Sequence, residues 1–353
     1  MGKIIGVTVL LLTIIVLAAR PADAQSALFQ GVRPSGMGGA FITLSDDENA
    51  LFFNPAGLND VKGFGGAEIL DPVLEISDNS RRIYNDIRNL HGTDIGNVTN
   101  FLDQHVGDHQ HIQASLFPNL VFHNFAVGLL LNGLADLDVR NRVTPQVNAD
   151  IHLDAGLLVG VAYGFMDRLI QIGATAKGIR RDGVDRIYTA SDIESGNFDP
   201  YHQHTNHTAF AFDVGAKMNI PVFLHPTLAI VGQNLGDLDF KQAGSIGHQI
   251  NLGAAINPGF WILKTTFAAE LDDLARQQPD DADLFKRLHL GAELRFPKIL
   301  SLRAGISQGY YTAGATLDFW LLKVGYANYA RELGDYAGQR VDRRQEIQIS
   351  LGF

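Results

Sequence analysis

The chain has 353 residues, 46% of them hydrophobic, with 37 glycines, no cysteine and a formal net charge of −10. Without cysteine there are no disulfides and no thiolate metal sites to stabilise it. Its acidic balance offers no basic stripe for phosphates, which excludes nucleic acid as a partner, and no Walker loop or GxSxG elbow marks an enzyme.

Residues 1–24 read as a signal peptide. Lys3 precedes an apolar run from Ile4 to Ala19, followed by Arg20, Pro21 and Ala22-Asp23-Ala24. A positive start, a short apolar core and an A-x-A site form the secretory pattern, with cleavage expected before Gln25. The run is shorter than the ~20 residues a spanning helix needs. No later stretch is apolar over the length of a helix, so a membrane crossing must use strands.

Residues 25–63 do not read as a membrane strand. They hold Gly31 to Phe41 (GVRPSGMGGAF), then Asp46-Asp47-Glu48-Asn49-Ala50, then Phe53 to Leu58 (FNPAGL). Gly36, Gly38 and Gly39 permit tight turns and close backbone contact, and Asn54-Pro55 favours a turn. Such a segment can plug a lumen, with Asp46, Asp47 and Glu48 meeting basic inward side chains, or form a solvated arm.

From residue 64 the period is two, so successive side chains face opposite sides of a strand. Strands are expected near 64–75, 112–122, 124–138, 149–163, 168–182, 207–219, 226–238, 246–257, 259–272, 285–296, 298–307, 310–318, 320–330 and 344–353. Leu288, Leu290, Ala292, Leu294 and Phe296 alternate with His289, Gly291, Glu293 and Arg295. Ile347, Ile349, Leu351 and Phe353 alternate with Gln348, Ser350 and Gly352. Strands of soluble sheets run about five or six residues, whereas these approach the roughly nine to eleven of a tilted membrane strand.

The second face carries Gly and charge: Lys177, Asp213, Lys217, Arg287, Glu293, Arg295, Arg303 and Lys323. A sandwich core does not tolerate such a face, but a watery lumen does. Connections also alternate in length. Short turns fall at His123-Asn124, Met166-Asp167, 221–225, Pro258, Pro297 and Phe319. Long ones fall at 76–111, 139–148, 183–206, 239–245, 273–284 and 331–343, with a short exception at Gln308-Gly309. In lipid every backbone polar group must be paired within the protein, so the sheet must close. The expected fold is all-β: a transmembrane antiparallel up-and-down barrel of about fourteen strands over residues 64–353, its N-terminus periplasmic. Outer-membrane lipid is the expected surround, and the terminal Phe353 looks like the signal read by the outer-membrane insertion machinery.

The run from Gly31 to Leu58 resembles the N-terminal signature of the FadL-type outer-membrane barrels, a superfamily with PorV/PorQ-like and TraF-like relatives. The resemblance implies that residues 25–63 form a hatch inside the barrel, to which Gly36, Gly38, Gly39, Asn54, Pro55 and Ala56 belong. It implies passive transport of hydrophobic or amphipathic small molecules across the outer membrane. The alternative is a PorV-like accessory or structural barrel that docks a secreted-protein partner and transports nothing. FadL itself uses an apolar pocket and a kinked strand, whereas the inward face here is polar to charged.

Several clusters remain. His105, His109 and His111, and then His202, His204 and His207, fall on the long-loop side. Imidazoles at this spacing can share zinc or copper, or be ordinary polar loop residues. Ile83–Leu90 and Ile95–Phe101 have the spacing of short amphipathic helices over the barrel mouth. Trp261, Trp320, Tyr310, Tyr311, Tyr326 and Tyr329 are candidates for aromatic girdles. No nucleophile–base pair is selected, so no catalytic residue and no cofactor is expected.

Overall fold

Branched and aromatic side chains alternating with small or charged ones give each strand two unlike faces, and the computed structural model turns the apolar face outward. The structure describes residues 28–80, 100, 102–140, 146–195, 203–260, 263–276, 283–297 and 299–352. Leu153 is 68% exposed and Phe210 69%, while Lys177, Asp213, Arg181 and Arg344 are buried. A soluble sheet buries the opposite set. Among the described residues no helix is long and apolar enough to cross a membrane.

The strands are β1 (Phe64–Leu70 and Pro72–Ser77), β2 (His109–Leu116 and Asn119–Phe122), β3 (Phe125–Arg140), β4 (Gln146–Phe165), β5 (Ile170–Thr189), β6 (Thr205–Asn219) and β7 (Thr227–Leu235). They continue as β8 (Gln249–Ile256 and Gly259–Phe260), β9 (Leu263–Leu271), β10 (Leu288–Arg295), β11 (Leu300–Ser307), β12 (Tyr310–Asp318), β13 (Leu322–Glu332) and β14 (Val341–Gly352). Seventeen ladder segments make these fourteen strands, because β1, β2 and β8 are each split in two. Every neighbouring pair is antiparallel, and β14 returns to β1 through Gln348 opposite Val73 and Arg344 opposite Ser77. The barrel is closed, which leaves no sheet edge to face lipid.

Short turns gather at one end and long connections at the other. One expected turn is misplaced. The chain does not reverse at Pro258: Gly259 and Phe260 continue the ladder and pair with Lys264 and Leu263. Proline lacks an N–H, which interrupts the ladder without ending the strand. The segments 83–90 and 95–101 lie outside the described residues apart from Asn100. Leu102, just after them, is buried against Val139 and Val147.

β1 and β2 break at the same level, at Asp71 and at Phe117-Pro118. Pro118 can donate no ladder hydrogen bond. The β1–β2 ladder continues on either side, with Glu68 opposite Asn119 and Pro72 opposite Leu116. Phe117 stays in the wall, its N–H donating to the Asp71 carbonyl at 3.4 Å, and its inward ring is fully buried, 4.8 Å from Phe52 and 5.6 Å from Phe29.

Candidate functional site

The lumen is filled from both directions. Residues 28–61 lie inside it, almost wholly buried. Pro34 and Ser35 sit in the helix α1 (Val32–Gly36), and 3-10 helices follow at Glu48–Leu51 and Pro55–Asp60. Local capping sets both 3-10 turns. Asp47 accepts from the Asn49 backbone N–H at 3.0 Å, and Asn54 from that of Ala56 at 3.1 Å, with Pro55 at the first helical position, where a missing N–H costs nothing.

What seats this segment is a belt of inward-facing glycines. A Cβ on Gly325 would lie 2.9 Å from Val32, on Gly291 2.4 Å from the Met37 carbonyl, on Gly253 2.8 Å from Ile42, and on Gly173 2.4 Å from Pro55. The segment thus winds along the inner wall, from β13 back towards β5, in the space that absent side chains leave. Contact also runs the other way. Gly38 has φ +67° and approaches the carbonyls of Leu290 and Ile306 so closely that a Cβ would lie 2.8 Å from each.

Charge fixes the segment at three further points. Arg33 donates to both oxygens of Glu293 at 3.0 and 3.1 Å, to Asp46 at 2.6 Å, and to Asp47. Burial works against its charge, yet Asp46, Glu293 and Asp47 hold the guanidinium well above its ordinary pKa. Arg295 and Arg303 also bind Glu293, at 2.6 and 2.8 Å. Glu270 accepts from the backbone N–H groups of Phe41 and Ile42 at 2.7 and 3.0 Å. At the segment's end Asp60 accepts from Lys217 at 2.5 Å and from Gln171 at 2.7 Å. Burial raises the Asp60 carboxyl, but Lys217 and these hydrogen bonds bring it below the usual carboxylate range.

The connection between β7 and β8 enters from the long-loop end. Its two-residue ladder, Leu238 to Ile246 and Asp239 to Ser245, buries Leu238, Phe240, Ala243 and Ile246. Arg181 grips Asp154 at 2.7 and 2.8 Å, stacks 4.3 Å over Phe240 and donates to the Ala243 carbonyl at 3.3 Å. The sequence suggests an outer loop here, but its apolar residues find their cover inside the barrel.

Cavities flank the N-terminal segment at both ends. One of about 510 Å³ opens towards the long loops and is lined by Phe29, Phe52, Phe53, His109, Lys177 and Arg331 among others. Two smaller ones, about 300 and 200 Å³, lie towards the short turns beside Arg33, Asp46 and Asp60.

The sequence candidates distribute over this arrangement. Gly36, Gly38, Gly39, Asn54, Pro55 and Ala56 lie in the internal segment. Lys177 pairs with Asp213 at 2.7 Å and Lys323 with Glu68 at 2.9 Å, so both join wall to wall. Arg287 is not on a strand: it ends the helical turn Leu284–Arg287 and donates to the Asp273 carbonyl at 3.0 Å.

His109 and His111 point inward on β2. His109 meets Asp136 and Asp342, and His111 meets Glu75 at 2.9 Å and Asp136 at 3.2 Å. These carboxylates occupy both nitrogens of each ring. His105 is buried in the turn before β2, while His204 is half-exposed beside Asp182 and His207 lies on β6. His202 lies outside the described residues, as do Trp261, Phe353 and residues 1–27. Among the described residues no group of three His, Cys, Asp or Glu side chains is placed to hold a metal ion.

The aromatics divide by parity. Tyr311, Tyr326 and Trp320 face outward and are exposed, whereas Tyr329 is buried and donates to Glu75 at 2.5 Å. Tyr329 lies a step of three residues after Tyr326, and an odd step puts them on opposite faces.

No family model and no curated protein sequence matches the chain. Solved structures do. The Ralstonia pickettii toluene transporter TbuX superposes with a TM-score of 0.52 at 12% identity, covering 91% of this chain and 97% of that one. A Pseudomonas aeruginosa FadL homologue gives 0.50 at 12%, over 95% and 99%. The TodX deltaS2S3 mutant, a monoaromatic hydrocarbon channel, gives 0.50 at 11%, over 91% and 97%.

The chain has the FadL-type outer-membrane barrel fold. Closure at fourteen strands and the near-complete coverage of both chains carry that statement. The sequence pattern does not single out Arg33, Glu270 or Asp60, because each joins the N-terminal segment to a strand remote in sequence.

Proposed function

We propose that the protein lies in the bacterial outer membrane with its N-terminus periplasmic and lets hydrophobic or amphipathic small molecules cross passively, with residues 25–63 as the hatch. The observation that carries this reading is the N-terminal segment seated inside the barrel, with cavities above and below it. A structural barrel needs no such partition. The fold shared with a toluene transporter and a hydrocarbon channel agrees.

Uptake of radiolabelled toluene into proteoliposomes holding the full mature chain tests it. Entry faster than into empty liposomes is expected. Equal rates in the two preparations would refute transport.

A further inference from the structure

The cavity on the long-loop side has a sharper chemistry than the fold requires. Its cations are nearly all neutralised. His109 faces Asp136 and Asp342, Arg140 faces Asp138, Lys177 faces Asp213, His289 faces Asp272, and Arg344 faces Glu75 and Asp342. Lys286 donates to the Gly334 carbonyl. Arg331 differs. It lines the same cavity from the inward face of β13, and its guanidinium makes no hydrogen bond or ion pair with any described residue.

A guanidinium carries five N–H donors in a planar fork that matches a carboxylate. With no partner among the described residues, its fork is free to close on a ligand in the cavity. We infer that Arg331 is the anion-binding group of this cavity and that the ligand is a compact organic carboxylate with an apolar body, such as an aromatic acid. This rests on the transport reading above and names its substrate class. The apolar body is matched by Leu28, Phe29, Phe52 and Phe53, which the N-terminal segment supplies to the same cavity. Single charge follows from the surroundings: Asp136, Asp272 and Glu332 also line the space, so a dianion such as phosphate meets repulsion that one guanidinium does not offset. Compactness follows from the volume of about 510 Å³, shared with polar walls that have no use for a long alkyl chain.

The test uses the full mature chain in detergent, with benzoate as the probe, read by isothermal titration calorimetry at low and high salt. Wild type is expected to bind benzoate, more weakly as salt rises. Arg331→Met, which keeps the length of the side chain, is expected to lose roughly tenfold or more, as the loss of a charge-assisted pair implies. Arg331→Lys is expected to recover part of it. A boiled-versus-unboiled gel shift confirms that each variant is a closed barrel; if Arg331→Met fails to close, Arg331→Lys and wild type decide. Equal benzoate affinity in folded wild type and Arg331→Met overturns the inference, as does tighter binding of inorganic phosphate than of benzoate. Wild type that passes toluene but binds no benzoate overturns the inference alone. Passing neither overturns the transport reading with it.

Discussion

Asn54 presses its side-chain oxygen so closely onto the Cα of Gly215 that a Cβ there would lie 1.9 Å from it. The same Asn54 donates to the Ile42 carbonyl at 2.9 Å and caps Ala56, so it cannot swing away without breaking both. Seating of the N-terminal segment therefore depends on a hydrogen atom at one position of β6.

Gly215→Ala is expected to weaken that seat by about 1–3 kcal/mol, the usual cost of overpacking. Chymotrypsin cleavage after Phe41 in the folded barrel measures it, and cleavage should accelerate while the gel shift on boiling persists. Gly259→Ala is the control, because nothing lies within 4 Å of a Cβ there and its φ is unexceptional. Equal acceleration in both variants would remove the glycine belt as the cause.

Arg33→Met leaves Glu293, Asp46 and Asp47 crowded with one partner fewer. Breaking a buried pair from one side costs about 3–5 kcal/mol, so the thermal midpoint for segment release should fall. Adding Glu293→Gln should recover part of the loss. A double variant no better than the single one would show that the pair is not coupled.

Phe117→Ala removes the inward ring at the break between β1 and β2. A loss of about 3–5 kcal/mol is expected for a buried Phe. Faster swelling of proteoliposomes in small neutral solutes should accompany it, because the lumen widens where the ring packed on Phe29 and Phe52. Unchanged swelling would mean that other side chains fill that space.

Asp60 makes the seat sensitive to acid. Its pKa in the fold is depressed, so its contribution is complete above its unfolded value, about 4, and fades as pH falls through the folded one. Hydrogen–deuterium exchange of residues 53–61 in wild type, corrected for the intrinsic pH dependence of exchange, should rise in that acidic window. Asp60→Asn should exchange faster at neutral pH and lack this acid-dependent component. The difference between the two profiles isolates the carboxyl from other groups.

Orientation is open to labelling, since the natural chain has no cysteine. Ser191→Cys, on the exposed helix Ala190–Glu194, should react with an impermeant maleimide on intact cells. Phe223→Cys, at the tip of the turn between β6 and β7 and 89% exposed, should react only after the outer membrane is opened. The reverse pattern would place the N-terminus outside.

The sequence by itself determined the wall. A period of two assigns each residue to lipid or lumen, strand length matches a bilayer, and backbone pairing in lipid forces closure. The face each of Lys177, Glu293 and Arg303 occupies was legible for that reason, and the odd step from Tyr326 to Tyr329 held the same information. Only the tertiary structure decided what each inward group meets. Gly215 is one more small residue on β6 until Asn54 lies on it, and Arg331 lacks a partner among the described residues because the acids of β1, β3 and β14 are taken by other groups. Such pairings join positions hundreds of residues apart, where alternation carries no signal. The inward β7–β8 loop and the continued strand at Pro258 fall to the same cause: local pattern fixes the face of a residue, while closure of the barrel fixes its neighbour.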